Sequence, residues 1–290
     1  MASECESCAF SFYDIISNFS GENQCAVQLF LQHGVVVSAS DCPSCRKPTK
    51  IYVNRKIFRT LLEKCHMTPS QNLLFINEFL RKDFTRCAIK ENMNITSRNI
   101  VDWKNFCDLV CLHWMNEQEA IGGIGSIIEI SESKFGKKKY SRGCVMDGIW
   151  VFGGIDRDTK KHFIVPLDSK ESATLIPLCQ KYIKPGSTIH SDSWEAYSEL
   201  NDLGYNHQTV NHSRDFVTPD VGIHTNTISK LWKNIQCWVL RAGNKKTHYK
   251  KYFARFLFTY VHSDHRTILH HFLRAIARAF PPCTVSTTVE

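Results

Sequence analysis

The pattern of apolar positions changes near residue 120. Before it, apolar residues recur every three or four positions, the spacing of amphipathic helices. This pattern predicts one or two helices over residues 9–33, ending near Gly34, and another from Pro69 through "PSQNLLFINEFLRKD". A further helix, N-capped by Thr96 or Ser97, has one apolar stripe. The stripe comprises Ile100, Trp103, Cys107, Val110, Cys111 and Trp114.

The glycine-rich segment "IGGIGS" at 121–126 marks the change, and the segments after it alternate like strands. They are "IIEISESKF", "GIWVFGGID", "KHFIVPL" and "STIHSD", with the helical "ESATLIPLCQKYI" before the last. The helical "HTNTISKLWKNIQCWVL" and "THYKKYFARFLFTYVH" follow, then a third helix over about 264–279. Three strands, a helix and a fourth strand predict an α/β layer with mixed sheet order.

Composition is typical of a folded protein, because 43% of the residues are hydrophobic and 22% are charged. The 13 cysteines are an odd number and lie partly within predicted helices, which favours thiols in a reducing compartment over a disulfide framework. The apolar run "AVQLFLQHGVVVSAS" is interrupted before it reaches membrane-spanning length. We therefore expect a soluble intracellular protein without a membrane partner.

The net charge of +8 is unevenly distributed, because residues 1–40 contain four acids and no Lys or Arg. A basic body suits a polyanionic partner. The stretch 241–256 has six basic residues and no acid, which indicates either phosphate contacts or a solvated helix face. Candidate DNA contacts in the basic segments are Lys137, Lys138, Lys139, Arg241, Lys245, Lys246, Lys250 and Lys251.

A helix-turn-helix is a second candidate DNA-binding feature. Its first helix would be "RCAIKENM", its turn "NIT" and its reading helix the one that begins at Ser97. The alternative is a helical bundle whose polar face meets water. Arg and Asn are side chains that pair with base edges. The outward positions of the reading helix are Arg98, Asn99, Asp102, Lys104 and Asn105.

Metal-binding motifs are incomplete. The pair Cys42 and Cys45 in "CPSC" is half of a zinc knuckle, which needs two pairs around one ion. A four-cysteine site with Cys5 and Cys8 stays open, but zinc is not expected. No HExxH, P-loop or dinucleotide fingerprint is present, because "FGGID" and "IGGIG" lack the required spacing.

Asp192 ends the strand "STIHSD". A lone carboxylate at a strand end is commonly structural. Two such carboxylates on neighbouring strands, with a third ligand from a helix, would form a cage for two Mg²⁺ ions that activate water in phosphodiester chemistry.

Four segments together resemble the DDE transposase domain of the Merlin superfamily and its bacterial insertion-sequence (ISXO-like) relatives. They are "IIEISESKFGKKK", "GIWVFGGIDRDTKKHFIVPL", "IHSDSWEAY" and "GIHTNTISKLW", and the similarity runs from about Cys42 to near His262. The resemblance implies an RNase H-like fold whose metals are held by two strand-borne Asp residues and a helix-borne Glu or Asn. The second Asp is Asp192.

The other positions of that centre have changed. The resemblance places the first Asp at Ser131, the helical Glu at Ser229, and a basic residue of the same helix at Gln236. Mg²⁺ depends on carboxylates, so Mg²⁺ or Mn²⁺ is expected only if activity remains, and then weakly through Asp192. Glu129, Glu132 and Asn226 are the possible substitutes. Strand alternation places Glu129 on the face of Ser131 and Glu132 on the opposite face.

Three hypotheses remain. The first is a transposase-derived, nuclear protein that binds double-stranded DNA and has an inactive DDE centre. The second is an active metal-dependent transposase or nuclease, and the third is a protein-interaction module that uses the acidic N-terminus. The sequence leaves open whether the chain forms a homo-oligomer. The predicted organisation is N-terminal helices and a vestigial zinc-ribbon-like segment over 1–68, a helix-turn-helix-like unit over 69–120, the RNase H-like domain over 121–280 and a tail.

Overall fold

A computed structural model gives the architecture in two compact units. The residues that it describes are 8–19, 23–36, 39–41, 48–50, 67–81, 89–90, 93–135, 148–192, 195–210, 223–242 and 248–281. One unit comprises residues 1–116 with 258–290, and the other comprises residues 117–257. No helix among the described residues is both long enough and apolar enough to cross a membrane.

The discontinuous unit is helical. Its helices are α1 (Phe12–Phe19), α2 (Asn23–Gln32), α3 (Pro69–Leu80), α4 (Ser97–Asn116) and, after the second unit, α8 (Ile268–Ala279). Both α3 and α4 begin at threonine caps: Thr68 forms a capping box with Gln71, and the Thr96 hydroxyl accepts the Asn99 N–H at 3.2 Å. These caps confirm the predicted start of α4.

The core of this unit forms around α3, which contacts α1, α2, α4 and α8. Phe79 of α3 and Phe272 of α8 are fully buried, with ring centroids 5.9 Å apart. All six residues of the predicted α4 stripe are buried, as their helical spacing indicated. A short hairpin, β1 (Ala39–Asp41) with β2 (Pro48–Lys50), also belongs to this unit. Cys42 and Cys45 lie outside the described residues.

The second unit is built on a five-stranded mixed sheet. Its strands are β3 (Ile127–Phe135), β4 (Ile149–Asp156), β5 (His162–Leu167), β6 (Thr188–Asp192) and β7 (Asn206–Val210). They are ordered β5-β4-β3-β6-β7. Strand β4 runs antiparallel to its neighbours β3 and β5, whereas β6 and β7 run parallel to β3. This order and these directions are those of the RNase H-like fold, which confirms the predicted fold class.

Helices cover both faces of the sheet. Helix α5 (Ser172–Tyr182) connects β5 to β6 and packs Leu175 and Cys179 into one core with Ile128 and Ile130 of β3. Helix α6 (Asn226–Ala242) contacts β3 and β4. Because side chains alternate along a strand, the residues of β3 between the core isoleucines face α6.

The sequence analysis missed strand β7 and the 3-10 helix Glu195–Leu200 before it. The segment "NHQTV" of β7 has little apolar character and only its last residue, Val210, is buried. An edge strand exposed in this way lacks the alternation that would identify it. The helices from Phe258 onward group with the helical unit, whereas the predicted RNase H-like domain extended to residue 280; the boundary falls within α7 (Tyr249–Val261).

Candidate active centre on the mixed sheet

Glu129 anchors the centre of β3 to the start of α6. Its side chain has no exposed surface. One carboxylate oxygen accepts the Arg157 Nε–H at 2.7 Å, and the other accepts the backbone N–H groups of Thr227 and Ile228 at 2.8 and 3.0 Å. A helix N-terminus stabilises a carboxylate through its free N–H groups and its dipole. The contact therefore fixes where α6 begins relative to the sheet.

Arg157, which directly follows β4, extends this network to β6. Its Nη2 lies 2.9 Å from His190 Nδ1 and donates to the His224 carbonyl at 2.6 Å. Burial lowers the pKa of His190, and the charge of Arg157 lowers it further. A neutral His190 can accept from the guanidinium. One arginine thus connects β3, β6 and the segment before α6.

Ser131 and Asp192 lie on neighbouring strands. The paired register of these parallel strands ends at Glu129 and His190, and side-chain alternation puts Ser131 and Asp192, two residues further along each strand, on the same face of the sheet. Asp192 is half-buried, and one of its oxygens accepts the Thr225 hydroxyl at 3.5 Å. The carboxylate of Asp192 and the serine of β3 therefore face the same side of the sheet.

Thr225 links Ser229 to Asp192. The Ser229 hydroxyl donates to the Thr225 carbonyl at 2.9 Å, and the Thr225 hydroxyl donates to Asp192. Two turns further along α6, the Gln236 amide donates to the Ser133 hydroxyl of β3 at 3.3 Å. Thr225 thus connects the start of α6 with Asp192, and Gln236 connects the same helix with β3.

Comparison with known proteins identifies this arrangement. The family model described as "ISXO2-like transposase domain" matches residues 127–260. An uncharacterised transposase-like protein of Haemophilus influenzae is 27% identical over 93 residues, which are 32% of this chain and 74% of that protein. Residues 127–260 are therefore similar to DDE transposase domains, and they are called the DDE domain below.

Two solved structures are also similar to the DDE domain. They are the trimeric and dimeric forms of the HTLV-2 integrase catalytic core domain in complex with magnesium. Each is 13% identical with a TM-score of 0.30; the matches cover 47% and 48% of this chain, and 84% and 88% of the integrase chains. Both scores are low, and the strand order is what identifies the fold.

Glu132 of the DDE domain faces away from Ser131, as strand alternation predicted. Burial raises the pKa of Glu132 to about 7, a shift that Lys170 opposes and the charge of Asp192 reinforces. Burial also raises the pKa of the Cys179 thiol on α5 to about 12, with a further contribution from Glu132. One Glu132 oxygen is buried without a hydrogen-bond partner. With a pKa of about 7, Glu132 is only partly ionised at neutral pH, whereas a metal-binding carboxylate is fully ionised.

The described donors at the positions that the resemblance implies do not fit a pair of Mg²⁺ ions. Mg²⁺ requires hard oxygen ligands and is usually bound through carboxylates. At the three expected positions, Asp192 is a carboxylate, whereas Ser131 and Ser229 are hydroxyls. Both oxygens of Glu129 are already engaged by Arg157 and by the start of α6. Asn226, the first residue of α6, is exposed and could supply only a neutral amide oxygen.

The predicted DNA-contacting residues have different surroundings. Arg98 and Lys250 are exposed, and Asn99 and Lys251 are half-buried. Lys104 pairs with the buried Asp108 of α4 at 2.6 Å, so it would have to break an ion pair to reach a phosphate. The side chains of Lys137, Lys138, Lys139, Arg241, Lys245 and Lys246, and most of the first helix of the predicted helix-turn-helix, lie outside the described residues.

One basic residue of the 241–256 run is internal. Arg255 is buried and its guanidinium lies 5.5 Å from the ring centre of Trp238. The sequence analysis counted it with the surface charges of that run, which is wrong because its place on α7 faces the core. Its helical position among buried aromatic residues was the available signal.

Sequence reasoning also missed Arg157, Thr225, Lys230 and Lys233. Arg157 and Thr225 hold the centre together through contacts between distant parts of the chain, which a local pattern does not reveal. Lys230 and Lys233 are exposed on α6, and α6 contains no acid. An acid-free helix with lysines at this spacing was a signal that could have been read.

Proposed function

We propose that the chain is a transposase-derived DNA-binding protein whose DDE centre is inactive. The observation that carries the proposal is that serines, Ser131 and Ser229, occupy two of the three positions where the resemblance implies acids, and that Asp192 is the acid at the third. The centre keeps its supports, because Glu129 and Arg157 fix the strands and the helix. It has lost the negative charge that would hold two metal ions.

A metal titration tests the inactive centre. Calorimetry with Mn²⁺ should give weak or no binding to wild type, and measurable binding to the Ser131→Asp/Ser229→Glu variant. The gain should disappear when Asp192→Asn is added, because the restored acids need the third carboxylate. Tight binding of two ions by wild type would show that the centre is intact.

A cleavage assay on transposon-end DNA separates this proposal from an active nuclease. Wild type and Asp192→Ala should both leave the DNA uncut in Mg²⁺ and Mn²⁺. Cleavage by wild type that Asp192→Ala abolishes would contradict the proposal and support the active enzyme.

Duplex DNA is the partner that the charge distribution favours. The chain has a net charge of +8, and Lys230 and Lys233 extend from α6 on the helix that carries Ser229. No acid of α6 opposes them. Lysines arranged in this way can contact phosphates without reading sequence. We also expect a nuclear location on this proposal, which microscopy of the tagged chain would test.

The salt dependence of DNA binding tests the role of these lysines. Affinity for duplex DNA should fall as salt rises, and each of Lys230→Gln and Lys233→Gln should reduce the slope of log K against log [salt] by about 1. Lys184→Gln is the matched control, because Lys184 lies 3.8 Å from Glu119 in a surface ion pair. Affinity that does not depend on salt, or an equal effect of the control, would refute the phosphate contacts.

A further inference from the structure

Three metal-binding side chains meet in the helical unit, away from the DDE domain. Cys8 Sγ lies 3.3 Å from His33 Nε2 and 3.5 Å from His270 Nδ1, and the two nitrogens are 3.0 Å apart. His33 and His270 are buried and Cys8 is half-buried. The residues come from the segment before α1, the end of α2 and the first turn of α8, so only the fold brings them together.

Their spacing is close to that of ligands around a zinc ion, with the two nitrogens about 0.3 Å nearer to each other than in the metal-bound arrangement. Zn–N bonds of about 2.0–2.1 Å and a Zn–S bond of about 2.3 Å, at tetrahedral angles, place two nitrogens about 3.3 Å apart and nitrogen and sulfur about 3.5 Å apart. We propose that Cys8, His33 and His270 supply three ligands of a zinc site that joins the N-terminal segment to α8. Thiolate and imidazole ligands together suit zinc rather than Mg²⁺ or Ca²⁺.

His33 is fixed in the orientation that a ligand needs. Gly34 has φ +69° and its N–H bonds to the Leu31 carbonyl, while the Val35 N–H reaches the Phe30 carbonyl, which together form a Schellman motif that ends α2 at His33. Its Nδ1 lies 2.8 Å from the Leu29 carbonyl. A proton on Nδ1 donated to that carbonyl leaves the Nε2 lone pair directed at Cys8 and His270, as in known histidine–metal sites.

A backbone contact places Cys8 beside α8 independently of the three side chains. The Phe10 N–H donates to the Arg266 carbonyl at 2.9 Å, so the chain just after Cys8 runs along the segment that leads into α8. His270 is the third residue of that helix. A metal ion there would close two long loops of the chain, which lowers the entropy of the unfolded state more than a local link would.

The charges around the cluster are compatible with a bound cation. Burial lowers the pKa of His33 and, to about 4, that of His270. The positive charge of Arg274 contributes to both shifts and opposes a cation. A Cys8 thiolate would offset that charge. The competing arrangement is a hydrogen-bonded triad without metal, with a proton between the two imidazoles.

Metal content of the full chain distinguishes the two arrangements. The parent protein for this test is the Cys42→Ser/Cys45→Ser variant, which removes the "CPSC" thiols as a source of zinc. Purified without chelator and measured by mass spectrometry, the parent should hold about one zinc ion per chain. Adding Cys8→Ser or His33→Asn should remove it. Adding Cys25→Ser or His265→Asn, changes in the same unit but outside the cluster, should not.

Cobalt substitution distinguishes the loss of a metal ligand from loss of zinc through misfolding of a variant. In the Co²⁺ form of the parent, the single thiolate should give a near-ultraviolet sulfur-to-cobalt absorption. His270→Cys should keep the metal and about double that absorption, because it exchanges one zinc ligand for another. A parent that holds no metal and takes up none, or a His270→Cys absorption equal to that of the parent, would overturn the site. Neither result depends on DNA binding or on the DDE centre.

Discussion

Two glutamates of β3, three residues apart, have opposite surroundings. Glu129 is buried, but Arg157 and two helix N–H groups compensate its charge. Glu132 is on the other face, and one of its oxygens is buried without a hydrogen bond. A buried charge is tolerated when it is paired and hydrogen-bonded, and otherwise the group becomes neutral. The first residue therefore supports the fold, and the second reduces its stability when it ionises.

Removing the charge of Glu129 should be costly. Glu129→Gln leaves the half-buried Arg157 guanidinium without its counter-charge, and loss of one member of a buried pair costs about 3–5 kcal/mol. We expect the free energy of unfolding of residues 117–257 to fall by that amount, measured by urea denaturation with hydrogen exchange at β3. Glu119→Gln, which changes an exposed ion pair with Lys184, should cost less than about 1 kcal/mol. Equal losses would show that the Glu129 network is not a source of stability.

The ionisation of Glu132 should appear in the pH dependence of stability. Its pKa is about 7 in the folded state and 4.5 ordinarily, so between these values the folded state holds more protons than the unfolded state. Stability should therefore fall as the pH rises through this window. Relative to wild type, Glu132→Gln should be about 1–3 kcal/mol more stable at pH 8 than at pH 4.5.

The control for this pH dependence is Glu199→Gln, which changes an exposed side chain of the same unit. Its difference from wild type should be the same at both pH values. If Glu132→Gln behaves in the same way as this control, Glu132 is ionised at its ordinary pKa and the neutral-acid interpretation is wrong.

At these residues, the sequence predicted which face each side chain occupies but not its partner. Alternation along β3 was sufficient to separate Glu132 from Ser131. The pairing of Glu129 with Arg157 depends on how β4 ends and where α6 begins, which no local pattern specifies. The same holds for Cys8, His33 and His270, whose proximity exists only in the folded chain.

At the scale of elements, helix α6 sits directly on β4 at Gly153. A Cβ atom at Gly153 would lie 2.7 Å from the Trp232 ring and 3.0 Å from the Phe163 carbonyl oxygen. Gly153 pairs with Ser131 across the sheet, so this close approach also sets the distance between Ser131 and the helix that carries Ser229. The glycines of "FGGID", which match no phosphate-binding fingerprint, thus have a packing role.

Adding a methyl group at Gly153 should separate helix and sheet. Gly153→Ala should lower the free energy of unfolding by about 1–3 kcal/mol, the usual cost of overpacking. Trp232→Phe shortens the ring that the methyl group meets, so the double variant should lose less than the sum of the single losses. A double-mutant cycle measures this coupling, and strictly additive losses would exclude the contact.

The sequence predicted the buried strands and helices better than the exposed ones. The buried strands β3 to β6 and the helices α4 and α5 have regular apolar patterns, and the sequence was sufficient to locate them. Strand β7 lies at the sheet edge with mostly polar residues, and its position depends on pairing with β6. The positions of Ser131 and Ser229 in the centre came from family resemblance, since serine carries no local signal of a replaced acid.

At the scale of the whole molecule, residues 117–257 are inserted into the helical unit. The core of that unit needs α8, because α3 and α4 both contact it. The DDE domain has its complete sheet before residue 257. A chain truncated after residue 257 should therefore keep a protease-resistant fragment over 117–257 and lose protection in 1–116, measured by limited proteolysis with mass spectrometry. Protection of residues 1–116 in the truncated chain would contradict this organisation.

This discontinuity sets an order of events during synthesis. On the ribosome, residues 1–116 emerge first but meet the helix that completes their core only after the inserted domain has been translated. Domains generally fold as units as they emerge, so the inserted domain can fold while residues 1–116 still lack the helix that completes their core. The helical segments then expose apolar surface in the nascent chain for the time that about 140 further residues take to make, about 7–28 seconds at about 5–20 residues per second. A chaperone that binds the nascent chain would be expected on residues 1–116, not on the DDE domain.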